Sequence, residues 1–132
     1  DLDINDNIIF TGYVTPKQKR KLLSESNALL FPSLIEGFGL VILEAFQQNR
    51  PVITSDISPM SEIIQSNKTG LVIDPYDEKK WADSIITLIN NPEISDNMGR
   101  EGHYILKTKY NEELFYERLI KMYHDTLSYN FK

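Results

Sequence analysis

Two carboxylates, Glu36 and Glu44, lie with seven residues between them in the least polar stretch of the chain, which runs from Phe31 to Phe46. Two glycines, Gly37 and Gly39, lie between them. An ionised carboxylate in apolar surroundings is costly unless hydrogen-bond donors satisfy it. The hydroxyl groups of a sugar are donors of this kind. The pattern therefore predicts a ligand site in which the two glutamates are acceptors.

The hydrophobic pattern also predicts the elements that position this site. Residues 28–31 form a continuous apolar run typical of a buried parallel strand, residues 35–39 form a tight turn, and residues 40–49 form a helix. Further strands are expected over residues 7–10, 51–54 and 71–73, and further helices over 16–26, 58–65, 77–90, 92–109 and 111–127. This alternation predicts an α/β fold, a Rossmann-like parallel sheet with flanking helices and right-handed crossovers.

Polar residues mark the expected ends of several helices. Thr15 precedes a proline and is expected to cap the first helix, while Asp77, Asn91 and Asn111 are expected to cap the last three. Asn49 follows the helix that carries Glu44 and suits a left-handed backbone conformation.

The last helix carries an apolar stripe with helical spacing. Its members are Leu114, Phe115, Leu119, Met122 and Tyr123. Such stripes usually pack against another element, so we interpret this one as packing surface without chemistry of its own.

Composition excludes several classes of function. The net charge is −5, which argues against nonspecific binding to nucleic acid. The chain has no cysteine and only two histidines, so thiolate sites are excluded and we expect neither a metal nor a cofactor. No segment has the roughly 20 consecutive apolar residues of a membrane span. We therefore expect a cytoplasmic protein, with contact at the inner membrane face only through a part of the full-length protein outside this chain.

The candidate site lies in a stretch without cationic residues, because no lysine or arginine occurs between Lys21 and Arg50. An anion bound there would have to rely on backbone amides or on residues from elsewhere in the fold. Gly39 and Leu40 begin a helix, and the free amides and dipole of a helix N-terminus favour an anion.

Simpler interpretations remain open at this point. In these interpretations the GFG sequence is only a turn, Glu36 is an exposed residue of that turn, and Glu44 is part of a solvated helix face with Gln47 and Gln48. Two carboxylates also suggest a glycosidase, in which they flank one sugar ring. We rank that function lower, since one glutamate on a turn and one on the following helix would more naturally face successive parts of an elongated ligand.

Four segments, NIIFTGYVTPKQKRKLL, ALLFPSLIEGFGLVILEAF, RPVITSDISPMSEII and TGLVIDPYDEKKWADSI, together resemble the C-terminal domain of retaining glycosyltransferases of family 4. The resemblance covers nearly the whole chain. Its most specific part is the glutamate pair within PSxxEGFGLxxLEA. It implies a GT-B fold, in which two Rossmann-like domains face each other across a cleft. It also implies transfer of a hexose from a nucleotide-diphosphate sugar with retained anomeric configuration and without a metal.

The resemblance further implies roles for individual residues. Glu36 would contact hydroxyls of the donor sugar and is the candidate catalytic residue, although it would position the sugar and is not a proven nucleophile. Glu44 would accept hydrogen bonds from the ribose, and Gly12 and Tyr13 would pass near the nucleotide base. The backbone of four residues would line the sugar and diphosphate: Gly37, Phe38, Gly39 and Leu40.

By the same resemblance, residues 1–132 are expected to be a partial C-terminal donor-binding domain. The first strands of this domain, a phosphate-binding arginine and lysine, and the N-terminal acceptor domain would all lie upstream. The expected partners are the nucleotide-sugar donor and that acceptor domain, and the fragment alone is expected to be inactive. The alternatives are a non-catalytic nucleotide-sugar binding module and a sugar-nucleotide epimerase of the same fold.

Overall fold

A parallel sheet of three strands forms the centre of the fold in the computed structural model, which describes residues 4–129. The strands are β1 (Leu29–Phe31), β2 (Val52–Ser55) and β3 (Gly70–Ile73), in the order β1-β2-β3. In this register Ile53 of β2 lies between Leu30 of β1 and Leu71 of β3. The predicted α/β fold with a parallel sheet is confirmed.

Six α-helices flank the sheet in the described part of the chain. They are α1 (Pro16–Glu25), α2 (Leu40–Gln47), α3 (Met60–Ile63), α4 (Glu78–Asn90), α5 (Pro92–Lys109) and α6 (Glu112–Tyr129). Within residues 4–129, none of these helices combines the length and the apolar character that a membrane crossing requires. Helix α3 is shorter than the 58–65 that the sequence predicts, because its first turn begins only after Pro59.

The core consists of two apolar clusters separated by the sheet. Successive side chains of a strand point to opposite faces, so Val52 and Ile53 of β2 belong to different clusters. One cluster includes Ile42 and Phe46 of α2, and the other includes Leu88 of α4. All four residues of β2 are buried, including the polar Thr54 and Ser55, which agrees with the short buried strand that the sequence predicts over residues 51–54.

Helix α5 packs closely on the end of α2 through two glycines. A Cβ atom at Gly99 would lie 2.0 Å from the carbonyl oxygen of Asn49, and one at Gly102 would lie 2.3 Å from the Phe46 ring. The ring nitrogen Nδ1 of His103 also lies 3.1 Å from the carbonyl oxygen of Phe46. The close backbone approach at Gly99 and the contacts of Gly102 and His103 with Phe46 therefore both fix the position of α2 against α5.

The predicted helix caps are mostly confirmed. Asp77 accepts a hydrogen bond from the Lys80 amide at 2.9 Å, and Asn111 accepts one from the Leu114 amide at 2.8 Å. Asn49 has the expected left-handed conformation, with φ of 55°. Asn91 does not cap α5 with its side chain.

Asn91 serves the preceding helix instead. Its Nδ2 donates to the carbonyl oxygen of Thr87 at 2.8 Å, near the end of α4. Helices α4 and α5 share Asn91 as their junction, so one short side chain cannot satisfy both ends.

Thr15 caps α1 as predicted, in a reciprocal arrangement with Gln18. The Gln18 amide donates to Thr15 Oγ1 at 3.4 Å, and the Thr15 amide donates to Gln18 Oε1 at 2.9 Å. We expect Thr15→Ala to lower the free energy of unfolding by about 1 kcal/mol, because it removes an acceptor for an orphan helical amide. Urea denaturation measures this. Thr108→Ala, which removes only a hydroxyl bonded within α5, is the control, and an equal loss in both variants would contradict the cap.

The strand predicted over residues 7–10 does not form. Ile9 and Phe10 are 85% and 90% exposed, and these residues pair with none of the strands in the described chain. A strand is stabilised by pairing and by burial of one face, so β-forming residue types alone do not produce one. The described sheet therefore has three strands where the sequence predicts four.

The apolar stripe of α6 is not the packing surface that its spacing predicts. No residue of α6 is buried among the described residues, and Phe115 and Tyr123 are 61% and 59% exposed. The spacing of apolar residues predicts which face of a helix is apolar, but it does not supply the element that would cover that face.

Candidate functional site

The loop of residues 32–39 leads from the end of β1 into α2, so it lies at the carboxyl edge of the sheet. The carboxyl edge is where open parallel sheets bind ligands. The fold therefore places the predicted site residues of this loop at the edge where a ligand is expected. A second loop, residues 11–15, leads into α1 and carries Gly12 and Tyr13.

The turn before α2 depends on Gly39. This glycine is buried at the N-cap of α2 with φ of 83°, a conformation that other residues rarely adopt. A Cβ atom there would also lie 3.2 Å from Ile42 Cδ1. By contrast, a Cβ at Gly37 would meet nothing within 4 Å, so the backbone there faces open space. The turn thus has a conformationally fixed end at Gly39 and an accessible backbone at Gly37.

The N-terminus of α2 faces solvent beside this turn. Leu40, its first residue, is 67% exposed, and the first amides of a helix have no intrahelical acceptor. The Ile42 amide donates to the Gly39 carbonyl at 2.9 Å, so among the described residues it is the amides of Leu40 and Val41 that are available to an anion at the predicted position. Phe38 packs edge to face against Tyr110 with ring centroids 6.2 Å apart, which anchors the turn to the end of α5.

A cavity of about 490 Å³ adjoins the same turn. It lies between the start of α2 and the junction of α5 with α6. Its lining is Phe38, Leu40, Leu43, Lys109, Tyr110, Asn111, Glu112, Phe115 and Arg118. The Phe38 and Leu40 side chains therefore face this cavity while their backbone forms the turn.

Glu36 lies on the turn with its side chain half-buried. Its Oε1 accepts a hydrogen bond from the Gly37 amide at 2.9 Å. Within residues 4–129 no partner is recorded for Oε2. One oxygen is thus held by the backbone, while the other is free to accept from a ligand.

Glu44 does not belong to a plain solvated helix face. Its side chain is 36% exposed, and its Oε1 lies 2.5 Å from Lys19 Nζ of α1. Lys19 comes from outside the uncharged stretch between Lys21 and Arg50. The fold therefore brings a cationic side chain to this stretch from elsewhere in the chain, which is one of the two sources that the sequence left open for binding an anion.

Gly12 and Tyr13 lie just before α1 on the second loop. Gly12 has φ of 61°, and a Cβ there would meet nothing within 4 Å. Tyr13 is 91% exposed, so it has little packing in the described structure. The described structure gives neither residue a contact with the glycine turn, and their contact with a base stays a prediction.

Other ionisable groups show no further catalytic centre. The described residues contain no group of three or more histidine or acidic side chains arranged to hold a metal ion, and independence from metals stays a prediction. The Lys79 ammonium donates a hydrogen bond to the Asp83 carboxylate, which raises the pKa of Lys79 on the exposed surface of α4. Away from the turn, the hydroxyl of Ser55 is buried at the end of β2 without a partner among the described residues.

Two polar groups near the carboxyl edge were missed by reasoning from sequence. The sequence gives no indication of a role for Lys19 at the site, because a lysine in a helix with other lysines is typical of a solvated surface. It gives only a weak indication for Ser55, which follows the short strand predicted over residues 51–54. Both acquire their environment from residues distant in the chain.

The parallel sheet, the flanking helices and the glycine turn at the carboxyl edge define an α/β domain of the kind found in GT-B glycosyltransferase structures. The family described as "Glycosyl transferases group 1" matches residues 1–105. The chain belongs to this family.

Individual relatives agree with the family. The chain is 34% identical to the O-antigen chain mannosyltransferase RfbU of Salmonella typhimurium over 107 residues, which cover 81% of this chain and 29% of that protein. Its structure resembles that of a sucrose-phosphate synthase from Thermosynechococcus elongatus with a TM-score of 0.87 and 25% identity, covering 96% of this chain and 32% of the other.

A second solved structure contains ligands. A TarM variant of S. aureus, in complex with Fondaparinux, alpha-GlcNAc-glycerol and UDP, is similar with a TM-score of 0.83 and 28% identity, covering 90% of this chain and 24% of that chain. The chain spans between 24% and 33% of the length of the curated relatives that it matches.

Proposed function

We propose that this chain is the donor-binding part of a retaining glycosyltransferase, which transfers a hexose from a nucleotide-diphosphate sugar to an acceptor. The observation that carries the proposal is the arrangement of the glycine turn. The turn combines Glu36, accessible backbone at Gly37 and the open N-terminus of α2 at the carboxyl edge of a parallel sheet. Membership of the glycosyltransferase family and a UDP complex of the similar TarM support it.

Each part of a sugar nucleotide has a complementary group in this arrangement. The free oxygen of Glu36 would accept hydrogen bonds from hydroxyls of the sugar. The amides at the start of α2 would face the diphosphate, whose negative charge suits the positive end of the helix dipole. Glu44, one turn into the helix and about 6 Å along its axis from Leu40, would accept from the ribose.

In the proposed reaction, the bond between the anomeric carbon and the diphosphate oxygen breaks and its electron pair leaves with the nucleoside diphosphate. The acceptor oxygen bonds to the anomeric carbon as the proton of that hydroxyl passes to the departing diphosphate oxygen. The protein's contribution is to orient the sugar and to stabilise the leaving-group charge with preorganised amides. No metal or cofactor takes part in this proposal.

The full reaction would need residues outside this chain. Because the matched relatives are about three times as long, we propose that residues 1–132 form part of one domain and that an acceptor domain completes the enzyme. Basic residues for the diphosphate would also come from the rest of the protein. The acceptor and the site of action, including any contact with the inner face of a membrane, would be determined there.

Titration of the full-length protein with nucleoside diphosphates tests the proposed function. We expect heat of binding with UDP or GDP, and turnover of the corresponding nucleotide sugar with the anomeric configuration retained in the product, as read by proton NMR. Binding without any turnover would favour the non-catalytic module. Absence of binding to both diphosphates would contradict the proposal.

The isolated chain is expected to fold but to bind UDP or GDP weakly, if at all, and to transfer no sugar. The physical reason is that part of the phosphate-binding charge and the entire acceptor site would be missing. Circular dichroism and calorimetric titration of residues 1–132 measure both properties. Sugar transfer by the purified chain would contradict this prediction.

A further inference from the structure

The contact between Lys19 and Glu44 differs from the other ion pairs in residues 4–129. It joins two helices, α1 and α2, across 25 positions of sequence. Its side chains are 41% and 36% exposed, whereas those of the i, i+4 pair Lys21–Glu25 are 72% and 63% exposed. Lys19–Glu44 is also the shortest pair of the four, at 2.5 Å. It is thus the most sheltered and the best formed of them.

The first turn of α1 determines where Lys19 points. Thr15 and Gln18 form the reciprocal cap that starts the helix, and the Lys19 amide bonds to the Thr15 carbonyl at 2.9 Å. Lys19 follows this cap directly, so its direction is set by a rigid turn. Glu44 lies opposite, in the second turn of α2.

Stability gives little reason for this pairing. Partly exposed ion pairs contribute little to folding, because hydration of the separated charges offsets most of the attraction. Helices α1 and α2 are already joined by the apolar cluster that includes Leu23 and Phe46. A role at the ligand site accounts for the contact better than a role in folding.

The geometry leaves half of the Glu44 carboxylate available. Lys19 holds Oε1, and no partner of Oε2 is recorded within the described residues. A carboxylate fixed through one oxygen presents the other in a defined direction. Such an oxygen accepts hydrogen bonds from a hydroxyl group more strongly than a freely rotating one, since less orientational freedom is lost on binding.

We infer that Lys19 is a positioning residue, which holds Glu44 so that its second oxygen accepts hydrogen bonds from the ribose of the donor nucleotide. This inference rests on the proposed function. Lys19 acts through Glu44 and makes no contact with the donor itself. Through its contact with Glu44, Lys19 raises the preference of the site for a nucleotide with a ribose over a nucleotide whose sugar lacks the 2′ and 3′ hydroxyls.

The test compares UDP with 2′,3′-dideoxy-UDP, and GDP with 2′,3′-dideoxy-GDP, by calorimetric titration of the full-length protein. In the unmodified protein the ribose form should bind more tightly. Lys19→Met should reduce this preference by about fivefold to tenfold, the size expected when a hydrogen bond to a charged group is weakened. Lys19→Arg keeps the charge and should restore the preference to within about twofold of the original value.

Two further variants separate positioning from other roles. Lys21→Met lies on the same helix, removes the exposed partner of Glu25, and should leave the ribose preference unchanged. Glu44→Gln should reduce the preference, and adding Lys19→Met to it should reduce the preference no further. An additional loss in the double variant would mean that Lys19 contacts the ligand directly, which would overturn the inference.

The outcomes also distinguish this inference from the proposed function. If UDP and GDP both fail to bind the unmodified protein, the proposed function fails. If one of them binds but Lys19→Met keeps the full ribose preference, the proposed function stands and the role of Lys19 is wrong. Failure of Lys19→Met to fold, judged by circular dichroism, would also overturn the inference, because it assigns Lys19 no part in folding.

Discussion

Replacement of Glu36 by alanine in the full-length protein is expected to abolish sugar transfer while the protein stays folded. The carboxylate is the acceptor that the turn offers to the sugar, and the Gly37 amide holds it in place at 2.9 Å. Loss of an orienting contact at the reacting sugar should lower kcat by at least about 100-fold. The free energy of unfolding should change by no more than about 0.5 kcal/mol, since Glu36 makes no apolar packing contact in the core.

Glu36→Gln refines this prediction. The glutamine oxygen can still accept from the Gly37 amide, so the turn keeps its geometry, but the ligand meets a neutral group instead of a carboxylate. We expect a large loss of kcat here too, with a smaller change in donor affinity. Steady-state kinetics with a radiolabelled nucleotide sugar would measure both quantities.

Glu25→Gln is the matched control for these variants. Glu25 lies at the end of α1, is exposed, and within residues 4–129 pairs only with Lys21. Its replacement should leave kcat and KM unchanged. Near-normal turnover by Glu36→Ala would reduce Glu36 to a turn residue and remove the main support for the proposed catalytic site.

Substitution of Gly99 by alanine is expected to destabilise the fold strongly. The added methyl group would lie 2.0 Å from the carbonyl oxygen of Asn49, far inside van der Waals contact. Neither group can move easily, because Gly99 lies within α5 and Asn49 belongs to the left-handed turn that ends α2. We expect the free energy of unfolding to fall by about 3 kcal/mol or more.

Chemical denaturation of this chain measures the loss at Gly99. Gly37→Ala is a useful comparison, since a Cβ there meets nothing within 4 Å and stability should hardly change. Equal stability of Gly99→Ala and the unmodified chain would mean that α5 does not approach the α2 turn as described. A loss of donor binding at temperatures where Gly99→Ala is still folded would further indicate that α5 positions Glu44 through α2.

Much of the local structure follows from short-range signals. The caps at Thr15, Asp77 and Asn111, the left-handed Asn49 and the glycine turn before α2 each depend on residues within four positions of one another. Their conformations follow from backbone sterics and from hydrogen bonds to nearby amides, which are the same wherever the segment lies. The sequence motif around Glu36 and Glu44 likewise indicated a glycosyltransferase, which the match to the group 1 family confirms, while family 4 and the retaining mechanism stay predictions.

The local sequence pattern does not predict the structure correctly where a segment or side chain depends on a partner elsewhere in the fold. Residues 7–10 have the composition of a strand but pair with none in the described sheet, and the apolar stripe of α6 is left largely exposed. Asn91 was assigned to the wrong helix end, because two helices compete for it. Periodicity and propensity describe one segment at a time, so they cannot state whether a second segment is there to complete the interaction.

By itself, then, the sequence determined the α/β class, most helix boundaries, the turn that carries Glu36 and the membership of the glycosyltransferases. Only the tertiary structure decided that Lys19 meets Glu44 and that Gly99 and Gly102 admit α5 against α2. The reason is the distance along the sequence over which each property is determined. Backbone conformation depends on neighbours in sequence, whereas the charge and the space around a side chain depend on residues that the fold brings from 25 to more than 50 positions away.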